Sequence, residues 1–364
     1  MSVFRRLYRG ETRFRFIGTR KWWYLASLIM IAICVISFIV RGFNYGVEFA
    51  GGTQFQIPVS GTAVTTDQVN TAFTNAGTAP ADPPQKVGSG SNTQIVVKTE
   101  QVTPNQQQNL KVQVAKILGV DAGTITVNSV SSSWGHDITV KALEGLIIFI
   151  IVVSIYISIR FQWRMAAGGI VALLHDLVIA GGIYSLVGFE VTPSTVVGLL
   201  TILGFSLYDT VVVYDKIAEN TKDLLAGTRA TFAEQANLAV NQTLMRSINT
   251  SLIGLLPVAG LLFVGAGILG VGTIKDLALI LFVGLASGAY SSLFIATPIV
   301  VDLTERAPEY KSLTKRVVAK RASDARRATE ERELAAAGVA PPTRRNTGPA
   351  PAPRPGARPQ RRRR

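Results

Sequence analysis

Six long runs of apolar residues, separated by polar stretches, dominate the hydrophobic pattern of this 364-residue chain. A helix needs about 20 predominantly apolar residues, within a range of about 17–25, to cross the hydrocarbon core of a bilayer. Because all six runs fall in or near that range, the pattern predicts an α-helical membrane protein with six spans. Arg41 directly follows the first run, which indicates a retained span rather than a cleaved signal peptide. The predicted spans are Trp22–Val40, Leu143–Arg160, Met165–Val187, Val191–Tyr214, Ser247–Val264 and Leu277–Val300.

Between the first two runs the pattern changes to short alternating segments and amphipathic helices. Threonines precede both predicted helices as candidate caps, and a glycine follows each helix. The order strand, helix, strand, strand, helix, strand is that of a ferredoxin-like α+β domain. The predicted elements are a strand at Gln54–Val59, a helix from Thr65 to Gly77, strands at Lys86–Val87 and Gln94–Lys98, a helix from Thr103 to Gly119, and a strand at Thr124–Val130.

Arginine and lysine are concentrated in the N-terminal segment, in two of the connections between spans, and in the tail after the last span. These four segments fall on one side of the membrane if the spans alternate, and cations mark the cytoplasmic side. We therefore expect both termini in the cytoplasm and the α+β domain outside. The predicted organisation is a basic N-terminus at 1–21, span one at 22–40, an extracytoplasmic domain at 41–140, spans two to six at 141–303, and a basic, largely disordered cytoplasmic tail at 304–364.

Composition narrows the class of protein. Only 16% of the residues are charged, against about a quarter in soluble proteins. The formal net charge is +14, and residues 303–364 hold 17 Lys and Arg against 6 Asp and Glu, so the basic balance describes a tail. Pro341–Arg364 is too rich in Pro, Ala, Gly and Arg to bury a core, whereas Tyr310–Leu334 is compatible with a fraying polar helix. The chain shows no Walker loop, paired-cysteine metal spacing or nucleophile elbow, so we expect no enzyme, metal or cofactor.

Asp209 is the most informative residue of the membrane region. It lies in the fourth run among leucines and valines, and an ionised side chain at such a position costs several kcal/mol unless it has a partner or a function. The sequence therefore favours a functional carboxylate. The alternatives are a buried ion pair that only fixes helix packing, or a span that ends before Asp209.

Arg246 is the candidate partner of Asp209. It lies near the inner end of the fifth run, as Asp209 lies near the inner end of the fourth, so the two side chains are placed to meet. A guanidinium favours the ionised form of a neighbouring carboxyl, so such a pair can change its protonation with conformation. The alternative is that Arg246 is an ordinary cytoplasmic anchor.

His175 and Asp176 lie about halfway through the third run. Adjacent helical residues point about 100° apart, so we expect only one of them to face a given partner. Histidine titrates near neutral pH and suits a proton relay, but a satisfied core histidine is an equal alternative. Gly284 and Gly288 in the last run have the four-residue spacing of a helix-packing seam.

Several long motifs, taken together, resemble the SecF members of the SecD/SecF family of protein-export membrane proteins. The resemblance covers about residues 18–303 and excludes the tail. One departure is Tyr208, since the family's motif normally has Asn or another polar residue before the aspartate. The matching stretches are FNYGVEFAGGT at 43–53, LLHDL at 173–177, GFSLYDTVVVYDKIAEN at 204–220, NQTLMRSINTSL at 241–252 and ASGAYSSLFIATP at 286–298.

The resemblance implies a six-span bundle of the RND-transporter type, with the ferredoxin-like domain outside. It implies an accessory role in the Sec machinery, with SecD, beside the SecYEG channel and after the ATPase SecA, in which the proton-motive force aids a late step of preprotein movement. By this resemblance Asp209 would carry the proton and Arg246 would be its partner. Reasoning from the residues alone adds His175 and Asp176 as further candidates for the proton path.

Other readings stay open at this level. A stand-alone RND-type proton-coupled exporter of lipids or small molecules is the main alternative, and a non-transporting assembly factor is another. The glycines Gly46, Gly51 and Gly52 between span one and the first strand provide either a hinge or a plain strand-entry turn. The basic tail favours anionic lipid or the ribosome as a neighbour, because no aromatic stacking platform accompanies its arginines.

Overall fold

Six helices within the described residues are long and apolar enough to cross a membrane. The structure, a computed structural model, describes residues 14–59, 64–87, 93–268 and 272–336. Each predicted span overlaps one of the six helices, and the fourth and fifth helices continue well beyond the apolar run. The spans are Arg20–Val40, Ser132–Arg160, Trp163–Val187, Pro193–Thr221, Phe232–Ala259 with a π-helical extension to Ile268, and a last span built from Gly272–Ser291, the π-helical turn Ser292–Ala296 and Thr297–Glu305.

Spans three, four and six form the centre of the bundle. In their apolar stretches 50%, 44% and 56% of the residues are buried within the chain, compared with 17%, 11% and 0% for spans one, two and five. The outer spans therefore present apolar side chains to their surroundings, as lipid-facing helices do, while the central spans pack on protein. Any polar side chain on a central span must consequently find its hydrogen-bond partner inside the protein.

The segment between spans one and two folds as the predicted ferredoxin-like domain. Its antiparallel sheet has the order β3-β4-β2-β5, and the two helices pack on one face of it. Alternate residues of the two central strands, Phe55 and Ile57 with Ile95 and Val97, are fully buried under the helices. Fully burying a side chain of this size stabilises a fold by about 1.5–3 kcal/mol. The elements are β2 Gly52–Pro58, a helix Thr66–Asn75, β3 Gln85–Val87, β4 Gln94–Thr99, a helix Pro104–Leu118 and β5 Thr126–Val130.

A second, two-stranded ladder joins the segment after span one to the connection between spans three and four. Strand β1, Asn44–Tyr45, follows span one and pairs in parallel with β6, Glu190–Val191, in the connection between spans three and four. After β1, a single helical turn leads into Gly51 and Gly52, whose φ angles of +74° and +118° favour glycine. A Cβ on Gly51 would lie 2.7 Å from the Ser132 Cα, so this segment is a closely packed entry to the sheet.

The region after span six contains a helix where the sequence allowed a polar helix at Tyr310–Leu334, and the predicted disorder of Pro341–Arg364 falls outside the described residues. Pro308–Ala336 forms a helix, and residues 337–364 lie outside the described residues. Leu313 and Val317 of this helix are fully buried, and Arg321 forms an ion pair with Glu234 at the start of span five (Nη1–Oε1 2.6 Å). Two buried apolar residues in an otherwise polar segment give little periodicity, so the sequence indicates a polar helix and the structure adds the surface against which it packs.

Candidate functional site

The Asp209 side chain lies inside the bundle on span four. It is 7% exposed, and its carboxylate accepts a hydrogen bond from the Ser292 hydroxyl of span six (Oγ–Oδ2 2.9 Å). Within the part of the chain that the structure describes, no nitrogen of Lys, Arg or His lies within 4.0 Å of that carboxylate. Asp209 is therefore a buried carboxylate supported by a hydroxyl group and not by a direct ion pair.

Arg246 lies near this site in the fold, but its guanidinium bonds a different residue. Its guanidinium is exposed on span five and donates to the hydroxyl of Tyr208, which is 48% exposed (Nη2–Oη 3.2 Å). Tyr208 and Asp209 are adjacent on a helix, so their side chains point about 100° apart, one outward and one inward. The structure thus brings Arg246 to the residue beside Asp209, and the direct contact between the two expected from the sequence is not made in this conformation.

Asp176 on span three is held by hydroxyl groups from two other spans. It is 1% exposed, and it accepts hydrogen bonds from Ser206 of span four (Oγ–Oδ2 2.5 Å), from Ser287 (Oγ–Oδ1 2.7 Å) and from Ser291 of span six (Oγ–Oδ2 2.7 Å). We call these four residues the hydroxyl cluster. Because it joins spans three, four and six, a change in the protonation of one carboxyl would change contacts among all three central helices.

His175 contacts the same carboxylate although it is the neighbouring residue. Its Nδ1 lies 3.2 Å from Asp176 Oδ1, and the imidazole is 4% exposed. The other ring nitrogen, Nε2, is buried and has no hydrogen-bond partner among the described residues. A buried nitrogen without a partner costs free energy, so this atom is a polar group that the observed conformation leaves unsatisfied.

At the π-helical turn of span six, two adjacent serines each donate a hydrogen bond to a different buried carboxylate. Ser291 donates to Asp176, and Ser292 donates to Asp209. The turn lies just before Pro298, which has no N–H to donate to the helical ladder, and across the turn the Thr297 hydroxyl donates to the Ser292 carbonyl (Oγ1–O 3.1 Å). Such widened turns often occur at functional sites, and here the hydroxyl donors to the two buried carboxylates are adjacent residues of span six.

Glycines on span six allow this close approach. A Cβ on Gly284 would lie 2.7 Å from the Ile202 Cβ, and a Cβ on Gly288 would lie 2.9 Å from the Ser206 Cβ. Both distances are shorter than ordinary contacts, so spans four and six meet at these glycines as the small-residue spacing predicts. Gly288 also faces Ser206, a member of the hydroxyl cluster.

Sequence reasoning missed what the serines do. Ser287, Ser291 and Ser292 lie in the small-residue segment around Gly284 and Gly288, and no local pattern marks them or Ser206 as partners of a carboxylate. Their spacing on span six puts Ser287 and Ser291 on one helix face opposite Asp176, which becomes informative only when the neighbouring span is known. The described residues contain no group of three or more His, Cys, Asp or Glu that could hold a metal ion.

Two family models match the chain. The model described as "Protein export membrane protein SecD/SecF, C-terminal" matches residues 110–306, and the "SecD/SecF GG Motif" model matches residues 36–63. The chain is 49% identical over 320 residues to the "Protein translocase subunit SecF" of Streptomyces coelicolor, covering 88% of this chain and 84% of that protein. It is 44% identical over 338 residues to the protein of the same name from Mycobacterium tuberculosis, covering 91% and 76%.

A solved structure resembles the whole fold. It is the crystal structure of SecDF, described as a translocon-associated membrane protein, from Thermus thermophilus, and it is 30% identical with a TM-score of 0.72. The match covers 82% of this chain but only 39% of the SecDF chain, so the present chain spans about two fifths of that longer protein. The likeness therefore extends over both the α+β domain and the bundle.

Proposed function

The chain belongs to the SecD/SecF family of protein-export membrane proteins, and from this premise we propose that it couples inward proton flow to a late stage of preprotein movement across the cytoplasmic membrane. It is a multi-pass membrane protein and a SecF-type accessory subunit of a protein translocase. The proton coupling, the partners and the orientation, with both termini in the cytoplasm, are the proposal. The protein is expected to act through binding and conformation, without enzymatic catalysis or a cofactor.

One observation carries the proposal. Asp209 is a carboxylate buried in a central span and bonded to a hydroxyl group, and none of the described residues places a cation within ion-pair distance of it. Burying an ionised group without a partner is costly, so intramembrane carboxylates mark proton or ion paths far more often than they mark simple packing. A group in this environment can take up a proton and release it again when its surroundings change.

Arg246 supplies a means for such a change. In the observed conformation it bonds Tyr208, one residue from Asp209 and on the exposed side of span four. A rotation or shift of span four that turns Asp209 toward span five would exchange the tyrosine hydroxyl for the carboxylate as the partner of the guanidinium. The carboxylate beside a guanidinium would then release its proton more readily than the carboxylate bonded to Ser292.

Asp176 and His175 extend the path with a second buried carboxyl. The adjacent serines Ser291 and Ser292 of span six donate to Asp176 and Asp209 respectively, and hydroxyl groups can accept and donate protons in turn. One proton crossing about 100 mV releases about 2.3 kcal/mol. That amount is enough to shift a two-state equilibrium whose states differ by a few kcal/mol, here an arrangement of the α+β domain.

The partners follow from the family. We propose that a SecD chain supplies the part of the assembly that the longer SecDF relative carries in one polypeptide, and that the pair works beside the SecYEG channel on preproteins delivered by SecA. The basic tail beyond the bundle would lie near anionic lipid headgroups or the ribosome, because each cation near an anionic surface contributes about 1 kcal/mol. Gly46, Gly51 and Gly52 would be the hinge or entry turn between span one and the domain.

The test uses three variants of the full chain in cells that lack their own copy. Asp209→Asn removes the titratable proton, Asp209→Glu keeps it, and Asp215→Asn is the matched control, because Asp215 lies on the same helix but is exposed and ion-paired with Arg160. We expect Asp209→Asn alone to abolish the part of secreted-reporter export that collapses with the proton gradient. Normal gradient-dependent export by Asp209→Asn, at normal protein levels, would refute the proton-carrier role.

A further inference from the structure

Lys98 is a buried lysine at the junction of the α+β domain and the bundle. Its side chain is 10% exposed, and its ammonium group donates to Asn44 Oδ1 (2.9 Å) and to the Tyr45 carbonyl (2.7 Å). It also forms an ion pair with Glu190 (Nζ–Oε1 3.2 Å). An ammonium group has three donors, so this one nitrogen uses all of them on two segments of the bundle, β1 after span one and β6 before span four.

Glu190 lies in the short connection between spans three and four. Its backbone pairs with Asn44 in the parallel ladder, and the Gly46 N–H donates to the Val191 carbonyl beside it (2.9 Å). Span four begins at Pro193 and runs without interruption past Asp209 to Thr221. Asp209 lies 16 positions after Pro193, so at 1.5 Å per residue the helix between them is a rod about 24 Å long. A displacement of span four at Asp209 therefore reaches Glu190 with little loss.

The charges around Glu190 show why Lys98 is needed there. Burial raises the pKa of the Glu190 carboxyl above its ordinary range, the Lys98 ammonium opposes that rise, and the nearby carboxylates of Glu48 and Asp82 reinforce it. Glu48 Oε2 is itself buried without a hydrogen-bond partner among the described residues. Lys98 is thus the cation that holds a partly buried carboxylate in a locally acidic junction, and removing it leaves that carboxylate unpaired.

We propose that the Lys98–Glu190 pair is the contact that transmits movement of span four to the α+β domain. This inference rests on the proposed function. Lys98 lies on β4, which is a central strand of the sheet between β3 and β2, so a pull on its side chain moves the whole domain. The two-residue ladder β1–β6 ties only the chain segments beneath the domain to each other. The ion pair adds the direct link from the span-four connection to the sheet.

A purely structural ion pair would make a different prediction from a coupling contact. A structural pair supports both the bundle and the domain, so its loss lowers proton uptake and export together. A coupling contact separates the two measurements, because the proton path at Asp209 stays intact while its movement no longer reaches the domain. Lys98 and Glu190 are therefore positioning residues, and the decisive readout is the ratio of exported protein to protons taken up.

The experiment uses Lys98→Met and Glu190→Gln in the full chain, expressed with the cell's own partners. Lys98→Arg keeps the charge if the methionine variant fails to accumulate, and Lys86→Met is the matched control, since Lys86 is exposed on the neighbouring strand β3. Export of a secreted reporter is measured in cells, and proton uptake is measured in inside-out membrane vesicles. We expect export to fall at least tenfold for both test variants, proton uptake to stay within twofold of the parent, and Lys98→Arg to retain most export.

Three results would overturn the inference. Export within twofold of the parent in both Lys98→Met and Glu190→Gln would show that the pair transmits nothing. A parallel loss of export and proton uptake would show a structural role. If Lys98→Arg exports no more reporter than Glu190→Gln does, the positive charge at position 98 is not what the contact requires. If Asp209→Asn also leaves gradient-dependent export normal, the proposed function fails as well, so the two failures are distinguishable.

Discussion

The seam between spans four and six allows a stability prediction whose size follows from the coordinates. In Gly284→Ala, the new Cβ would lie 2.7 Å from the Cβ of Ile202 and 2.8 Å from its Cγ1. The Ile202 Cβ is fixed to the backbone, so a rotamer change cannot relieve the first contact. To reach 3.4 Å, where ordinary contact begins, the two helices must separate by about 0.7 Å at this point.

Two costs follow from that separation. Overpacking of a close-packed interior costs about 1–3 kcal/mol. Ser287 lies three residues after Gly284 and donates to Asp176 at 2.7 Å, so a shift of about 0.7 Å stretches this hydrogen bond beyond its normal range and weakens a contribution of about 1 kcal/mol. Alanine is intrinsically better than glycine in a helix by about 1 kcal/mol, so the net destabilisation should be about 1–3 kcal/mol.

The assay is unfolding of the purified protein in detergent or bicelles, with Gly204→Ala as the matched control. Gly204 lies on span four, and a Cβ there would meet nothing within 4 Å, so this variant reports only the helix propensity of alanine. The double variant Gly284→Ala with Ile202→Gly should be less destabilised than the sum of the single changes, because glycine at position 202 has no Cβ for the new methyl group to meet. Equal stability of Gly284→Ala and Gly204→Ala, or strict additivity in the cycle, would refute the steric argument.

Three further predictions concern the polar groups. Asp176→Asn, which keeps the shape but cannot ionise, should reduce gradient-dependent export at least tenfold with normal insertion, and unchanged export would remove Asp176 from the path. Tyr208→Phe removes the hydroxyl that bonds Arg246 and leaves Asp209 unchanged, so it should change the pH profile of proton uptake. Arg246→Met should instead lower the amplitude of proton uptake. Identical pH profiles for Tyr208→Phe and the parent would count against the exchange of partners. Burial raises the pKa of the Glu190 carboxyl, so the contribution of this carboxyl to folding stability is present at low pH and is lost as the pH rises through its folded-state pKa. Acidifying the side of the membrane that holds the α+β domain should therefore protonate Glu190 and remove its ion pair with Lys98 without unfolding the chain. Crosslinking of the domain to the span-three to span-four connection should then decrease on acidification in the parent and be independent of pH in Glu190→Gln.

The elements of this protein were predictable because their causes are local in sequence. A run of about 20 apolar residues is long enough to cross the bilayer as a helix, and this can be recognised without knowing which segments pack beside it. The caps at Thr65 and Thr103 bond the backbone three residues ahead, and Gly119 adopts the left-handed conformation (φ +67°) that ends a helix. With alternating strands between these signals, the ferredoxin-like order could be predicted without a structure, and the sheet order follows from it.

The contacts of the candidate site depended on the tertiary structure. The sequence marked Asp209 and Asp176 as costly in lipid, but it did not reveal that serines from span six bond both, because that depends on the rotation of one helix against another. For the same reason Arg246 bonds Tyr208 and not Asp209.

Longer-range contacts were beyond any local signal. Lys98 and Glu190 are far apart in the chain, and each looks like an ordinary surface charge until the fold buries them together. The sequence allowed a polar helix at Tyr310–Leu334, but the contacts of the observed helix Pro308–Ala336 with the connection between spans four and five and with the start of span five are visible only in the structure. Composition and periodicity determined which segments enter the membrane and which carboxylates have to be explained. The relative rotation and docking of the helices, which no local pattern encodes, decided which groups meet those carboxylates.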